Sequence, residues 1–335
     1  MRHLKSIIKK SNLWKKKLAL ICGISGQDGS LLANFLIKKR YKVIGTSRDA
    51  EACNFNNLEA LGIKKNIKFL SMNYEDFHSS LKVLKASLPD EIYYLSGQSS
   101  VSLSFEQPSE TLKSNVLGFL NLLEACRMIN KKTRIYYAGS SECFGNTNKY
   151  AANEKSKFDP KSPYAVAKSS AFWLANNYRS SYNLHISTGI CFNHESPFRN
   201  NRFVTKKIIS TAVNIANGSK EKLILGDLNI SRDWGWAEEY IKAMWLMLQQ
   251  KKAEDFVIAT GETNSLKNFV KEVFNQFNLD WKKYVVQDKK LFRPQDIIYS
   301  KADPKKALKK LNWKAKFKMN DIIKLMIKAN NIKWI

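Results

Sequence analysis

The chain has 335 residues, 44% of them hydrophobic, enough for one large domain or two closely joined ones around a real core. Its formal net charge is +27, carried by 46 lysines and only ten arginines spread along the chain. Base-reading proteins rely on arginine forks, so this charge reads as a solvated lysine-rich surface that can attract a phosphate-bearing substrate, and no nucleic-acid partner is expected.

No apolar run approaches the ~20 residues of a membrane helix, so no membrane partner is expected either. The five cysteines (Cys22, Cys53, Cys126, Cys143, Cys191) form no C-x-x-C pair. That points to reduced thiols in a cytoplasmic protein and to no metal site.

Met1 to Lys17 is basic, lacks a sustained apolar stretch and reads as a poorly ordered leader. The organised chain begins with Leu18 to Cys22, an apolar run of the kind found in buried parallel strands. A helix follows over Ser30 to Lys39, then strands at Lys42 to Thr46 and Ile67 to Met72. Phe77 to Ser87 is helical, Glu91 to Leu95 a strand, Thr111 to Asn130 a long helix and Arg134 to Ala138 a strand. A further helix runs to about Tyr182, and a strand covers Leu184 to Ile190. Strands alternating with helices predict an α/β fold, a doubly wound parallel sheet of the Rossmann kind. Beyond residue 190 the pattern turns irregular, with loops near Asn193 to Arg202, Leu223 to Trp236 and Phe292 to Tyr299. We therefore expect a dinucleotide-binding domain with the catalytic residues over 18–190 and a smaller, mainly substrate-binding portion over 191–335, the chain crossing back to the first.

The glycine segment Gly23-Ile24-Ser25-Gly26-Gln27-Asp28-Gly29 lies between the first strand and the first helix. Without Cβ atoms the backbone can approach a pyrophosphate, and the helix N-terminus offers it free N–H groups and partial positive charge. The second strand ends at Arg48-Asp49, where an acid would read a ribose and an arginine a 2′-phosphate. Arg48 favours the phosphorylated cofactor and Asp49 leaves the choice open.

Ser162-Pro163 has the form of an N-cap followed by proline at the first helical position. Tyr164 and Lys168, four apart, share a face of the helix so begun. A free tyrosine titrates near about 10, so a neighbouring ammonium and a cationic nicotinamide are expected to lower it into the range of a working base. Ser140 precedes this pair by some twenty residues, completing the set of an enzyme that moves hydride at an alcohol carbon. Glu142 is an extra carboxylate, unnecessary for alcohol oxidation but suited to removing a proton from carbon before water leaves.

These segments resemble those of the GDP-mannose 4,6-dehydratases. So do Phe192-Asn193-His194-Glu195-Ser196-Pro197, Phe203-Val204-Thr205-Lys206-Lys207 and Arg232-Asp233-Trp234-Gly235, the likeness running from about Leu18 to Trp313. The family comprises extended short-chain dehydrogenase/reductases with tightly held NADP, so the resemblance implies NADP in preference to NAD. It implies GDP-mannose as substrate and, as product, a 4-dehydro-6-deoxy sugar nucleotide on the way to GDP-fucose. Homodimers or homotetramers are implied as well.

On the matched positions, Tyr164 is the base at O4, Glu142 the base at C5, and Ser140 and Lys168 complete the catalytic set. The cofactor would meet Gly23 to Gly29, Arg48, Met72, Asn73, Leu95-Ser96-Gly97-Gln98-Ser99, Tyr164, Lys168, His194 and Arg199. The sugar nucleotide would meet Ser99, Ser140, Glu142, Tyr164, Asn193, Val204, Lys207, Gly226, Arg232 and Arg293. The chain departs from the family in having Ser140 for threonine, Arg48-Asp49 for two adjacent basic residues, Met72 for an acid and Arg202 in a usually neutral loop. Another nucleotide-sugar dehydratase or epimerase of the superfamily is the nearest alternative, and a non-catalytic basic binding protein the alternative from another class.

Overall fold

The computed structural model describes residues 16–129, 132–148 and 150–330. The leader expected over Met1 to Lys17 thus lies outside the described residues except for its last two. Seven parallel strands form the central sheet: β1 (Leu18–Cys22), β2 (Lys42–Ser47), β3 (Ile67–Ser71), β4 (Glu91–Tyr94), β5 (Arg134–Ser140), β6 (His185–Cys191) and β11 (Phe256–Ile258). Their spatial order is β11-β6-β5-β4-β1-β2-β3, which reverses direction between β1 and β4. In such sheets a ligand crevice opens at the carboxyl ends of the strands at that reversal.

The central strands are mostly apolar because both faces of the sheet are covered. Ala19 and Ile21 of β1 pack with α1 (Gln27–Lys38) and α9 (Ala237–Gln249), while Leu20 and Cys22 face the opposite layer. That second layer comprises α3 (Phe77–Ser87), α6 (Gly118–Ile129) and α7 (Pro163–Tyr182). Each large side chain fully enclosed here, such as Phe119, contributes roughly 1.5–3 kcal/mol. Ser162 caps α7 by accepting from Ala165 N at 3.1 Å, with Pro163 at the first helical position.

The helix expected over Thr111 to Asn130 is divided, and its last residue lies outside the described residues. A short helix α5 (Pro108–Leu112) passes through a wider turn at Lys113–Leu117 into α6. Side chains compete for the backbone at that turn. Ser114 Oγ donates to Glu110 O at 2.7 Å, and Asn115 Nδ2 donates to Thr111 O and Gln98 O, both at 3.0 Å. Two further helices missed in the sequence are α2 (Asn56–Ala60) and α4 (Val101–Glu106).

The region after residue 190 is more regular than expected. It contains α8 (Val204–Ala216), α10 (Leu266–Asn275), α11 (Lys305–Leu311) and α12 (Met319–Asn330) besides α9. Ile208, Ile209, Ala212 and Val213 recur at helical spacing, a signal present in the sequence. Short strand pairs join β7 (Asn193–Glu195) to β10 (Trp234–Trp236), β9 (Ser231–Arg232) to β12 (Asn264–Ser265), and β8 (Leu223–Leu225) to β13 (Val285–Gln287). With α8, α10 and α12 they enclose a second apolar core containing Trp234, Trp236 and Phe269. The chain nevertheless returns to the large sheet, where β11 pairs with β6 and α9 packs beside α1.

Candidate active site

A cleft of about 1130 Å³ runs along the carboxyl ends of β1, β2, β4, β5 and β6 and continues to the wall built by α8, β8, β9 and the loop 291–298. Every site residue singled out in the sequence lines it except Ile24 and Met72. Ile24 is fully buried, its side chain turned against Gly45, so that only its backbone belongs to the glycine loop. Met72 is also fully buried, packed in the layer that holds Leu84 and Tyr94. It follows the end of β3 with its side chain turned inward, and the next residues, Asn73, Tyr74 and Glu75, line the cleft.

The glycine loop fits a dinucleotide diphosphate. Gly26 stands at the N-cap of α1 without a side-chain cap, so the first-turn N–H groups face the cleft free of internal competition. A Cβ on Gly29 would fall 2.6 Å from Ile24 Cα, so nothing larger than glycine lets the helix start this close to the strand end. Across the switch point the Leu95–Ser99 segment is pinned from beneath. Leu95 N donates to Cys22 O at 3.0 Å, Gln98 N to Ser114 Oγ at 3.3 Å, and Asn115 holds Gln98 O. The divided helix therefore supports the floor of the cleft. At the end of β2, Arg48 is exposed on the cleft, 3.6 Å from Glu110. Asp49 turns away, its Oδ1 accepting from Glu51 N at 2.9 Å and Ala52 N at 3.0 Å.

Ser140, Glu142, Tyr164 and Lys168 come together where β5 ends and α7 begins. Ser140 Oγ accepts from Glu142 N at 3.3 Å, and the hydroxyl lies close enough to Tyr164 to favour its anion. Lys168 Nζ donates to Ala138 O at 3.0 Å and lies 5.7 Å from the Tyr164 ring centre. Burial pushes the Tyr164 phenol well above its ordinary value, against the opposing pull of Ser140 and of the Arg199 charge. Burial also pushes Lys168 down to about 8. The protein's own groups thus leave Tyr164 above the range of a free tyrosine, opposite to the lowering expected from the Tyr-x-x-x-Lys spacing. The Lys168 ammonium, turned toward the Ala138 carbonyl, spends part of its positive potential there.

The Asn193-His194-Glu195-Ser196 block joins the two walls. β7 pairs with β10 in the register Asn193 to Trp234, His194 to Gly235 and Glu195 to Trp236. His194 Nδ1 lies 2.8 Å from Phe192 O and Nε2 lies 2.9 Å from Asp28 Oδ2. Both partners are acceptors, so both ring nitrogens carry hydrogen and the ring is an imidazolium. Burial opposes each charge, but the pairing prevails, holding Asp28 down to about 2 and raising His194. His194 stacks on Tyr240, whose ring comes close because Gly235 has no side chain.

Glu195 accepts from Thr205 Oγ1 at 2.7 Å and sits 3.1 Å from Arg199 Nε, while Ser196 Oγ donates to Gln27 Oε1 at 2.9 Å. His194 therefore offers the cleft a charge rather than a free nitrogen. Arg199 is held by Glu195 and stacked 3.6 Å over Phe203.

On the far wall Lys207 Nζ donates to Ile224 O at 2.7 Å, near Val204 and Gly226. Arg232 is only 6% exposed and its Nε lies 3.9 Å from Glu142 Oε1, itself 13% exposed. Arg293 reaches over from the loop after residue 291 and donates to Ser102 Oγ at 3.2 Å. Sequence reasoning missed Asp296, which both arginines contact, and the apolar lining residues Leu291 and Phe292. Asp296 stands in a segment with no periodicity, three residues past Arg293, and that proximity was the available signal. Among the described residues, no group of three or more His, Cys, Asp or Glu side chains is arranged to hold a metal.

A family model described as GDP-mannose 4,6 dehydratase matches residues 20–326. The chain belongs to this family. It is 42% identical over 322 residues to GDP-mannose 4,6 dehydratase 1 of Arabidopsis thaliana, covering 93% of this chain and 89% of that protein. It is 40% identical to the GDP-mannose 4,6 dehydratase of Dictyostelium discoideum over 96% of this chain and 97% of that one. The human GDP-mannose 4,6 dehydratase is 38% identical, covering 94% and 91%.

Solved structures confirm the fold at lower identity. A dTDP-glucose 4,6-dehydratase from Streptomyces venezuelae, with NAD and TYD bound, superposes with a TM-score of 0.82 at 21% identity, covering 94% of this chain and 97% of that one. A UDP-glucose 4-epimerase from Thermotoga maritima gives 0.81 at 23% identity, covering 94% and 98%. In this chain, Asn193–Glu195 of the Asn-His-Glu-Ser-Pro segment and Trp234-Gly235 of the Arg-Asp-Trp-Gly segment lie on two paired strands at the seam of the cleft.

Proposed function

We propose that this chain converts GDP-mannose to GDP-4-dehydro-6-deoxymannose and water. Glu142 carries the reading: a carboxylate within the Ser140, Tyr164 and Lys168 cluster, where a dehydrogenase or simple epimerase needs none. A nicotinamide dinucleotide, when bound, supplies the hydride acceptor for C4 and the hydride donor for C6. The residues that would hold it are the glycine loop, the Leu95–Ser99 floor and Arg48, and the bare α1 N-terminus and tight Gly29 fit such a group.

Ser140 orients the sugar O4 hydroxyl and Tyr164 takes its proton, a positive charge brought alongside the phenol helping to overcome the burial that raises it. The C4 carbonyl then acidifies the C5 proton, which Glu142 removes. The C6 hydroxyl leaves as water with the proton that Glu142 removed from C5; as C6 gains hydride, C5 regains a proton equal to the one Tyr164 took from O4, so atoms and charge balance between substrate, product and water. Arg232, Arg293 and Lys207 are suited to the diphosphate and nucleotide, being cations on the far wall.

Arg48 on the cleft with Asp49 turned away supports NADP in preference to NAD. The exposed Leu112, Leu117, Met128, Val166 and Trp173, on helices covering one sheet face, support a homo-oligomer. We place the activity in the cytoplasm, on the strength of five free cysteines. No described helix is long and apolar enough to cross a membrane.

The deciding experiment incubates purified protein with GDP-mannose and catalytic NADP and follows the product by mass spectrometry. Loss of one water in wild type but not in Glu142→Gln is expected. An intact sugar nucleotide with cofactor bound would overturn the GDP-mannose assignment.

A further inference from the structure

Asp296 is the junction of the far wall. Its Oδ1 accepts from Arg232 Nη2 at 3.0 Å, from Arg293 Nη1 at 3.1 Å and from Ile297 N at 2.8 Å. The other end of Arg232 is fixed as well, Nη1 donating to Ile297 O at 2.6 Å and Ser231 O at 3.0 Å. A guanidinium is rigid and planar, so fixing both Nη atoms fixes where Nε points. It points at Glu142, 3.9 Å away and beyond hydrogen-bond reach.

Arg232, Arg293, Glu142 and Asp296 together are two cations and two carboxylates. Without Asp296 the buried Arg232 would have Glu142 as its nearest counter-charge and would close on it. A carboxylate engaged in a direct arginine pair is stabilised as the anion and is a poorer proton acceptor.

We propose that Asp296 is a positioning residue for the elimination step, holding Arg232 beside Glu142 without letting the two pair, and linking both to Arg293. The role rests on Glu142 being the carbon base. It predicts that removing the Asp296 charge slows C5 deprotonation and leaves C4 oxidation untouched.

The test is a single turnover of the holoenzyme with GDP-mannose, followed by the absorbance of reduced nicotinamide. In Asp296→Asn the signal should rise at the wild-type rate and decay slower by about tenfold, less than the ~10²–10⁴-fold of losing the acid–base group outright. Its kcat should fall by the same factor, any rise in the KM for GDP-mannose through Arg232 and Arg293 being smaller, and Asp296→Glu should restore much of the decay. If Asp296→Asn does not fold, Arg232→Lys must show the same trapped signal, since lysine cannot be held at two ends while presenting a third donor. Rise and decay slowing together, KM alone rising, or no rescue by Asp296→Glu would each overturn the positioning role. Glu142→Gln in the same assay must trap the signal. If it does not, the base assignment fails, and this inference with it.

Discussion

At the glycine loop, what the protein offers a ligand is main chain: free N–H groups at the start of α1 and a backbone that comes close because Gly29 has no side chain. At the far wall it offers the ends of long side chains, Lys207, Arg232 and Arg293, each aimed by a partner distant in sequence. Backbone sites are fixed by local spacing and tolerate change outside a few positions. Side-chain sites depend on pairs brought together only by the complete fold, so a single charge removed at a distance can re-aim them.

The largest expected effect tests the proposed catalytic cluster between the two walls. Glu142→Gln should lower kcat by about 10³-fold at unchanged melting temperature, as expected for loss of a positioned base. Next, Gly29→Ala should destabilise the protein by roughly 1–3 kcal/mol, the usual cost of forcing atoms into a filled site, and should weaken cofactor binding more than substrate binding. A substitution there that left cofactor affinity intact would break the contrast drawn above.

Arg48→Ala is expected to weaken NADP by about tenfold with little change for NAD, the scale of one charge-assisted hydrogen bond. Titration of both cofactors by fluorescence decides it. The Asp28–His194 pair bridges the walls, and its pH dependence has a definite sign. The Asp28 contribution is present above 3.8 and is lost as pH falls through about 2. The His194 contribution is complete below 6.5 and is lost as pH rises through its raised value. Asp28→Asn should therefore cost about 2 kcal/mol in urea melts between those limits and less on either side. Smallest of all, Met72→Leu should leave cofactor affinity unchanged, as a volume-conserving swap in a core site.

The same contrast explains what could be read from the chain alone. The Ser162-Pro163 cap, the four-residue spacing of Tyr164 and Lys168 and the glycine segment are local patterns, and all appear where expected. The Met72 side chain does not line the cleft because a resemblance fixes a position in the chain and not the direction of its side chain, here packed in the layer of Leu84 and Tyr94. The single helix over Thr111 to Asn130 failed because Ser114 and Asn115 divert backbone bonds to hold Gln98, a partner seventeen residues away. Asp296 went unseen because its importance comes from Arg232, 64 positions earlier. The helices after residue 190 were readable from their apolar spacing and were obscured by the loops between them.

The seventh strand of the sheet has a consequence for how the molecule is made. β11 begins at Phe256, and until it arrives the outer side of β6 presents unpaired main-chain groups. During synthesis at about 5–20 residues per second, the cofactor-binding half emerges with an open sheet edge for several seconds before its closing strand leaves the ribosome. The nascent enzyme is thus most exposed to misassembly after its proposed catalytic residues have been synthesised. A chain terminated between residues 191 and 256 would carry Ser140, Glu142, Tyr164 and Lys168 on a sheet that lacks its outermost strand.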